Sequence, residues 1–367
     1  MIKEMNMVYT NPTIGIGSFG VDVVNWGYAR SLQEGTIDVN GMIPGTSCPR
    51  ILALETDRSS LTHTVQASSD GPSVQLPRQR VHIIQPRNAE EQVQALAGNR
   101  FTRHLAKRLV DMPEFSTESG GGAVVDRAYS SAIMDRALAP LLEQFILGQR
   151  DIHSINTQTV RGQHVATDLR IRCAIVGNGA GSTFNSMVNL VGIYLQRFAR
   201  QHGLALELLQ IVLDPSVAVV ASGDSRIAKA NYIMTLRHSL ALVEHWANPK
   251  VALPTFAGML TPVAPLWKRI VPWTTSNGRV SCPNRAALAA TVSLGIDQLL
   301  GSYGAFAESV FVDGEKDAAT TTGRGPAILG RLGVWRAAAP QGRAEKIALE
   351  SGMREVAGRI LDGPEMK

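Results

Sequence analysis

Two glycine-rich turns carry the clearest chemistry in this chain. In IGIGSFGVDVVNWG, Gly15, Gly17 and Gly20 lie between a short apolar run and a helix-like stretch, and spell GxGxxG. In VGNGAGSTFNS, Gly177, Gly179 and Gly181 alternate after a stronger apolar run, and Ser182 and Thr183 add hydroxyls before another helix. Glycine lets the main chain come close to a phosphate, and a helix start offers unsatisfied N–H groups with a partial positive charge. One such turn serves a dinucleotide, or is simply a tight strand–helix corner without a ligand. Two of them on parallel strands would lie along one sheet edge and suit a nucleotide with several phosphates. A third run, Gly120, Gly121 and Gly122, follows Ser119 and precedes another helical pattern. The ETD at Glu55–Asp57 could orient magnesium-bound water near phosphates, or cap a helix.

The elements that must position these turns read as repeated strand–loop–helix units, which predicts a mostly parallel sheet with helices on both faces. Strands are expected at Thr13–Ile16, Arg50–Leu54, Val81–Ile84, Leu169–Gly177, Leu208–Leu213 and Lys268–Trp273. Helices are expected at Val21–Leu32, Glu90–Leu109, Met187–His202, Arg226–Trp246 and Asn284–Leu300. A long helical pattern follows the third glycine run. Beyond it come a short apolar run at Ser309–Val312, a TTTGRGP linker and an amphipathic helix over about Arg343–Leu361. The uncharged stretch Val251–Trp267 is interrupted by prolines and falls short of the ~20 residues of a membrane span. It reads as a loop insertion that packs on the body or on another protein. Trp246, Trp267 and Trp273 are expected to gather around it.

The 367 residues are 44% hydrophobic and 18% charged, a globular composition. A net charge of +5 with scattered cations argues against a nucleic-acid partner. Cys48, Cys173 and Cys282 are far apart, which leaves no disulfide framework or zinc site and fits a reducing, cytoplasmic setting. Cys173 falls in an apolar strand as an inert core residue. MIKEMNMVYTNP has no apolar run of the signal-peptide kind. The histidines show no metal-ligand spacing, and His153, His164, His238 and His245 read as surface or helix-packing residues.

In their order and spacing these pieces resemble the tubulin/FtsZ superfamily over roughly residues 10–312. The first turn is similar to GVGGGGxNAVN, with Gly15, Gly17, Gly20 and Asn25 matching and Phe19 and Asp22 departing. ETDRSSL is similar to NTDAQAL at Thr56, Asp57 and Leu61, with Glu55 in place of Asn. GNGAGST resembles the GGGTGTG signature through Gly177, Gly179, Gly181 and Ser182, while Asn178, Ala180 and Thr183 depart. SGGGAVVDR looks like the loop that meets the terminal phosphate, with Gly120, Gly122 and Arg127 in matching places. KANYIMTLRHSLALVEH is similar to the helix with a base-contacting asparagine, here Asn231, and Asn284 opens what looks like the long central helix whose asparagine reads guanine.

The resemblance implies a Rossmann-like tubulin/FtsZ GTPase domain over 1–282 with an insertion at 248–267, a central helix over 283–302 and a reduced C-terminal region over 303–367. It implies GTP or GDP with Mg2+ near Asp57. The nucleotide would be held by Gly15, Gly17, Ser18, Phe19, Gly20, Asp22, Gly120–Gly122, Arg127, Gly177, Asn178, Gly179, Ala180, Gly181, Ser182, Thr183, Asn231 and Asn284. Slow hydrolysis coupled to self-association, as a homo-oligomer or filament, would follow. The family's NxDxxD acids are absent. Glu308 and Asp313 stand as substitutes, or as part of a solvated acidic loop with Glu315 and Asp317. A tubulin-fold interaction protein without hydrolysis or nucleotide stays open. An NAD-dependent oxidoreductase, with Glu34 or Asp38 as its ribose-binding acid, ranks below both.

Overall fold

Runs of apolar residues buried on both faces form the middle of the molecule. Ile171, Cys173, Ala174, Ile175 and Val176 are all fully buried, although consecutive strand residues point to opposite faces. Such a strand must be covered on both sides, which in a parallel sheet is done by crossover helices. The computed structural model describes residues 8–58, 64–66, 73–85, 88–110, 125–152, 169–214, 225–274, 282 and 284–300.

The chain opens with β1 (Val8–Thr10), β2 (Thr13–Ile16), α1 (Gly17–Gln33) and β3 (Ile51–Glu55), then the short β4 (Val65–Gln66), β5 (Ser73–Val74) and β6 (Val81–Ile83). Four helices follow: α2 (Ala89–Ala97), α3 (Arg103–Val110), α4 (Val125–Met134) and α5 (Leu138–Gly148). Next come β7 (Leu169–Asn178), α6 (Ser182–Gln201), β8 (Ala205–Leu213) and α7 (Ser225–Glu244). The described chain closes with β9 (Leu253–Thr255), β10 (Gly258–Leu260), β11 (Arg269–Trp273) and α8 (Arg285–Leu300).

The main sheet runs β6-β3-β2-β7-β8-β11, with every pair parallel, and β1 lies beside the start of β7. Its order therefore reverses between β2 and β7. One face, with Ile14, Leu52, Ile175, Leu208 and Ile270, is covered by α2 to α7. The other, with Ala174, Val176, Leu209 and Ile211, is covered by α1 and α8. α1 and α8 run side by side in the same direction: Arg285 at the start of α8 bonds Asp22, and Arg30 near the end of α1 pairs with Asp297. The expected α/β class, mostly parallel sheet and helices on both faces are all present.

Several expected boundaries change for local reasons. The helix expected over Glu90–Leu109 is two helices, because Asn99 turns the chain: its Oδ1 accepts from Phe101 N and its Nδ2 donates to the Phe256 carbonyl at 2.9 Å. The helical pattern after the third glycine run also breaks, at Asp135, whose Oδ1 accepts from Ala137 N. α1 begins at Gly17 instead of Val21, and α6 at Ser182 instead of Met187, so both helices start inside their glycine turns.

The stretch Val251–Trp267 is not a plain loop. It contains the antiparallel β9–β10 hairpin and packs on the body: Leu253, Leu266 and Trp267 are buried against the α6 side. Gly192 of α6 makes room for the Trp267 ring, since a Cβ there would stand 3.1 Å from it, and Trp267 Nε1 donates to Asn189 Oδ1. Trp267 thus anchors the insertion as expected, whereas Trp273 joins the opposite, α8-side core. His238 is half-buried in α7 and packs on the insertion, and burial lowers its pKa against a raising hydrogen bond with the Val251 backbone. Burial pushes the Cys173 thiol up, as expected of a core residue. Among the described residues no helix is long and apolar enough to cross a membrane. The Ser119–Gly122 run, His153, His164, the Ser309–Val312 run, the linker and the Arg343–Leu361 helix lie outside the described residues.

Candidate functional site

The two glycine turns leave the sheet side by side. β2 and β7 are adjacent and parallel, with Ile16, the last residue of β2, opposite Gly177. This is the point where strand order reverses, and in open α/β sheets the crevice outside the carboxyl ends at such a point is where ligands bind.

The glycines divide into two jobs. Gly15 and Gly20 let α1 lie directly on the sheet. A Cβ on Gly15 would stand 2.1 Å from the Gly20 carbonyl oxygen, and one on Gly20 would stand 2.6 Å from the Val176 carbonyl oxygen. Gly177 and Gly179 are similarly enclosed, by the Phe184 ring and Ile16 on one side and by Tyr232 and Val212 on the other. Gly17 makes the corner itself, with a φ of +76° that an L side chain rarely adopts. Gly181 is the N-cap of α6 and is the least crowded of the second set.

Both helix starts lack a side-chain cap among the described residues. Ile16 caps α1 and Gly181 caps α6, neither with a side-chain hydrogen bond, and neither helix carries an acid in its first turn. The leading N–H groups of a helix have no acceptor within it. Ser18 and Ser182, half-buried in the two first turns, frame this pair of donor sets. Phe19 is buried instead in the α8-side core. The second turn is braced from within: Asn178 Oδ1 accepts from Ala180 N at 2.9 Å, and Asn185 Nδ2 donates to the carbonyls of Gly179 and Gly181 at 2.7 and 3.0 Å.

The end of β3 reaches the same place. Thr56 Oγ1 and Thr183 Oγ1 are 2.9 Å apart, tying this strand end to the start of α6. Glu55 is buried, and its Oε1 accepts from Thr56 N and Asp57 N. Asp57 itself is exposed. No cluster of three His, Cys, Asp or Glu side chains occurs among the described residues. A cation here would therefore depend on Asp57, the two threonine hydroxyls and the ligand's own oxygens. That is a hard-oxygen donor set of the kind Mg2+ takes.

Asn231 joins the second turn by donating Nδ2 to the Ala180 carbonyl at 3.2 Å. Asn284 is the cap of α8, its Oδ1 accepting from Ala287 N at 2.8 Å. The next residue, Arg285, donates Nε to Asp22 Oδ2 at 2.6 Å and holds its guanidinium 5.8 Å from the centre of the Phe19 ring. Arg285 thus engages Phe19 and Asp22, two of the positions at which the first turn departs from GVGGGGxNAVN. Arg127 stands in the first turn of α4, which packs on α6, and its buried Nε has no hydrogen-bond partner among the described residues. Gly120, Gly121, Gly122, Glu308 and Asp313 lie outside the described residues.

Three residues here were not singled out in the sequence. Asn185 had a readable signal, one helical turn beyond Gly181. Tyr232 and Arg285 had none, because their roles come from pairings across the fold. Glu34 and Asp38, the acids weighed for a dinucleotide ribose, lie beyond the far end of α1. There Glu34 caps the helix, and Asp38 Oδ1 accepts from Asn40 N and Met42 N.

No family model and no curated protein sequence matches the chain. Among solved structures it is similar to CetZ from Methanosaeta thermophila, at 11% identity and a TM-score of 0.40, covering 80% of this chain and 53% of that one. It is also similar to CetZ1 from Haloferax volcanii, described as a GDP-bound monomer, at 12% identity and a TM-score of 0.40, covering 81% of this chain and 61% of that one. The chain thus spans little more than half the length of these neighbours.

Proposed function

We propose that this chain is a tubulin/FtsZ-like protein that binds a guanine nucleotide across the carboxyl ends of β2 and β7. The observation that carries the reading is the pair of uncapped, acid-free helix starts, set side by side where the strand order reverses. A single turn would serve one pyrophosphate, whereas two converging sets of amides suit a longer polyphosphate. Guanine is favoured by the asparagines. Asn231 donates its amide to Ala180 and keeps its oxygen for a ring N–H, while Asn284 uses its oxygen on α8 and keeps its amide for a carbonyl. Asp57, Thr56 and Thr183 are the residues that would hold Mg2+, which neutralises phosphate charge when bound. Turnover is separate from binding. In this reading it is slow, coupled to self-association, and dependent on Glu308 and Asp313 to orient water. A chain that binds GTP yet releases no phosphate at any protein concentration is instead the binding-only form of the same fold.

The test places charge where phosphates should sit. A carboxylate in the first turn of a helix favours the helix dipole, so Ser18→Glu and Ser182→Glu should fold as well as the parent. Each should weaken labelled-GTP binding at millimolar Mg2+ at least tenfold in equilibrium titration. Parent-like affinity in either variant, with its unfolding midpoint unchanged, removes that turn from the site.

A further inference from the structure

A groove lies at the amino-terminal edge of the sheet, opposite the glycine turns. Its walls are the end of α6, the start of β8 and the segment 263–269 that leads into β11, and it is an open groove of about 780 Å³. We propose that it binds an amphiphilic carboxylate, an unbranched apolar chain ending in one anionic head.

The apolar part follows from the wall. Leu204, Leu206, Val263 and Ala264 line the cavity and remain half-buried, so they offer apolar surface that a ligand would cover. The wall is also fixed in advance. Gln196 Oε1 accepts from Val263 N at 2.8 Å, Gln196 Nε2 donates to the carbonyls of Ala264 and Pro265 at 3.1 Å, and Arg200 Nη1 donates to the Val263 carbonyl at 3.2 Å. At the other end Lys268 N donates to the Leu208 carbonyl at 2.8 Å. A preformed wall loses little freedom when it is filled.

The anionic head follows from the charge. Arg200 and Lys268, both exposed, line the cavity, and among the described lining residues Glu207 is the one carboxylate. Glu207 is already matched, 3.1 Å from Arg172 and 3.7 Å from Arg170. Lys268 is exposed, and its ammonium meets no partner among the described residues. The cavity is therefore an apolar trough with two exposed cations, Arg200 and Lys268, at its rim. Its volume falls in the range of small-molecule sites, roughly 300–1,000 Å³.

The test uses sodium decanoate, with butanoate to remove the chain and decyltrimethylammonium to reverse the head, each titrated calorimetrically below its micellar range. Decanoate should bind saturably at one site per chain, and both controls at least tenfold more weakly. Lys268→Glu should weaken decanoate at least tenfold, and Ala205→Trp, which fills the trough from its exposed side, should abolish binding. Folding of both variants is read from the thermal midpoint, not from nucleotide binding, so the result stands apart from the glycine-turn site. The proposal is overturned if decanoate shows no saturable binding, if decyltrimethylammonium binds as well, or if both folded variants bind like the parent.

Discussion

Gly15, Gly17 and Gly181 look alike in sequence yet should respond differently to the same added methyl group. At Gly15 the new Cβ meets main chain that cannot yield without lifting α1 from the sheet, so Gly15→Ala should cost about 3 kcal/mol or more. At Gly17 the obstacle is the φ of +76°, worth about 1–2 kcal/mol. At Gly181 the backbone is extended, but a Cβ would stand 3.2 Å from the Asn178 carbonyl oxygen at a helix N-cap where Ala is poorer than Gly, so Gly181→Ala should cost about 1 kcal/mol, the least of the three. Urea midpoints of the three variants check the ranking, and equal losses would contradict it. Asp135 offers a test in pH. Burial raises its pKa, but hydrogen bonds from His82 and from the Ala137 and Leu138 backbone lower it further, and the net shift is downward. A carboxyl whose folded pKa lies below its unfolded value of about 3.9 stabilises the fold above that pH, and the contribution is lost as pH falls through the folded pKa. Asp135→Asn should therefore cost about 0.5–1 kcal/mol at pH 7 and show a shallower loss of stability below about pH 4. Parallel pH profiles for parent and variant would show that the ionised Asp135 carboxylate contributes nothing.

The elements were largely legible because their signals are local. β2 and the position of β7 follow from apolar runs, and both helix starts follow from glycines placed just after them. What was not legible depends on distant partners. Nothing near Asn99 announces that its amide will bond Phe256, 157 residues away, and so break a helix. Nor does the sequence around Trp267 reveal that Gly192 has cleared a space for its ring. A burial pattern alone also misjudges Gln210 on β8. It is fully buried between Ile175 and Ile270, and neither amide atom has a hydrogen-bond partner among the described residues. An unsatisfied buried amide costs about 1–3 kcal/mol, so Gln210→Met should raise the urea midpoint, or at least leave it unchanged. A clear loss of stability would show that the amide bonds an internal water.

At the scale of the whole molecule, a parallel α/β architecture could be read from alternating elements, but the strand order could not, since any order satisfies the same local pattern. The order β6-β3-β2-β7-β8-β11 is what brings two separate turns, some 160 residues apart in the chain, to one edge of the sheet. The candidate site was legible as two glycine turns, each followed by a helix. Its third wall was not, because the Thr56–Thr183 contact exists only once β3 has paired with β2. The measurement that bears most directly on this account is a structure of the chain determined with GDP and Mg2+. The account predicts phosphate oxygens within hydrogen-bond distance of main-chain N–H groups at the starts of both α1 and α6, with the guanine edge toward Asn231 and Asn284. Phosphates held at only one of these helix starts, or a nucleotide seated elsewhere on the molecule, would contradict it.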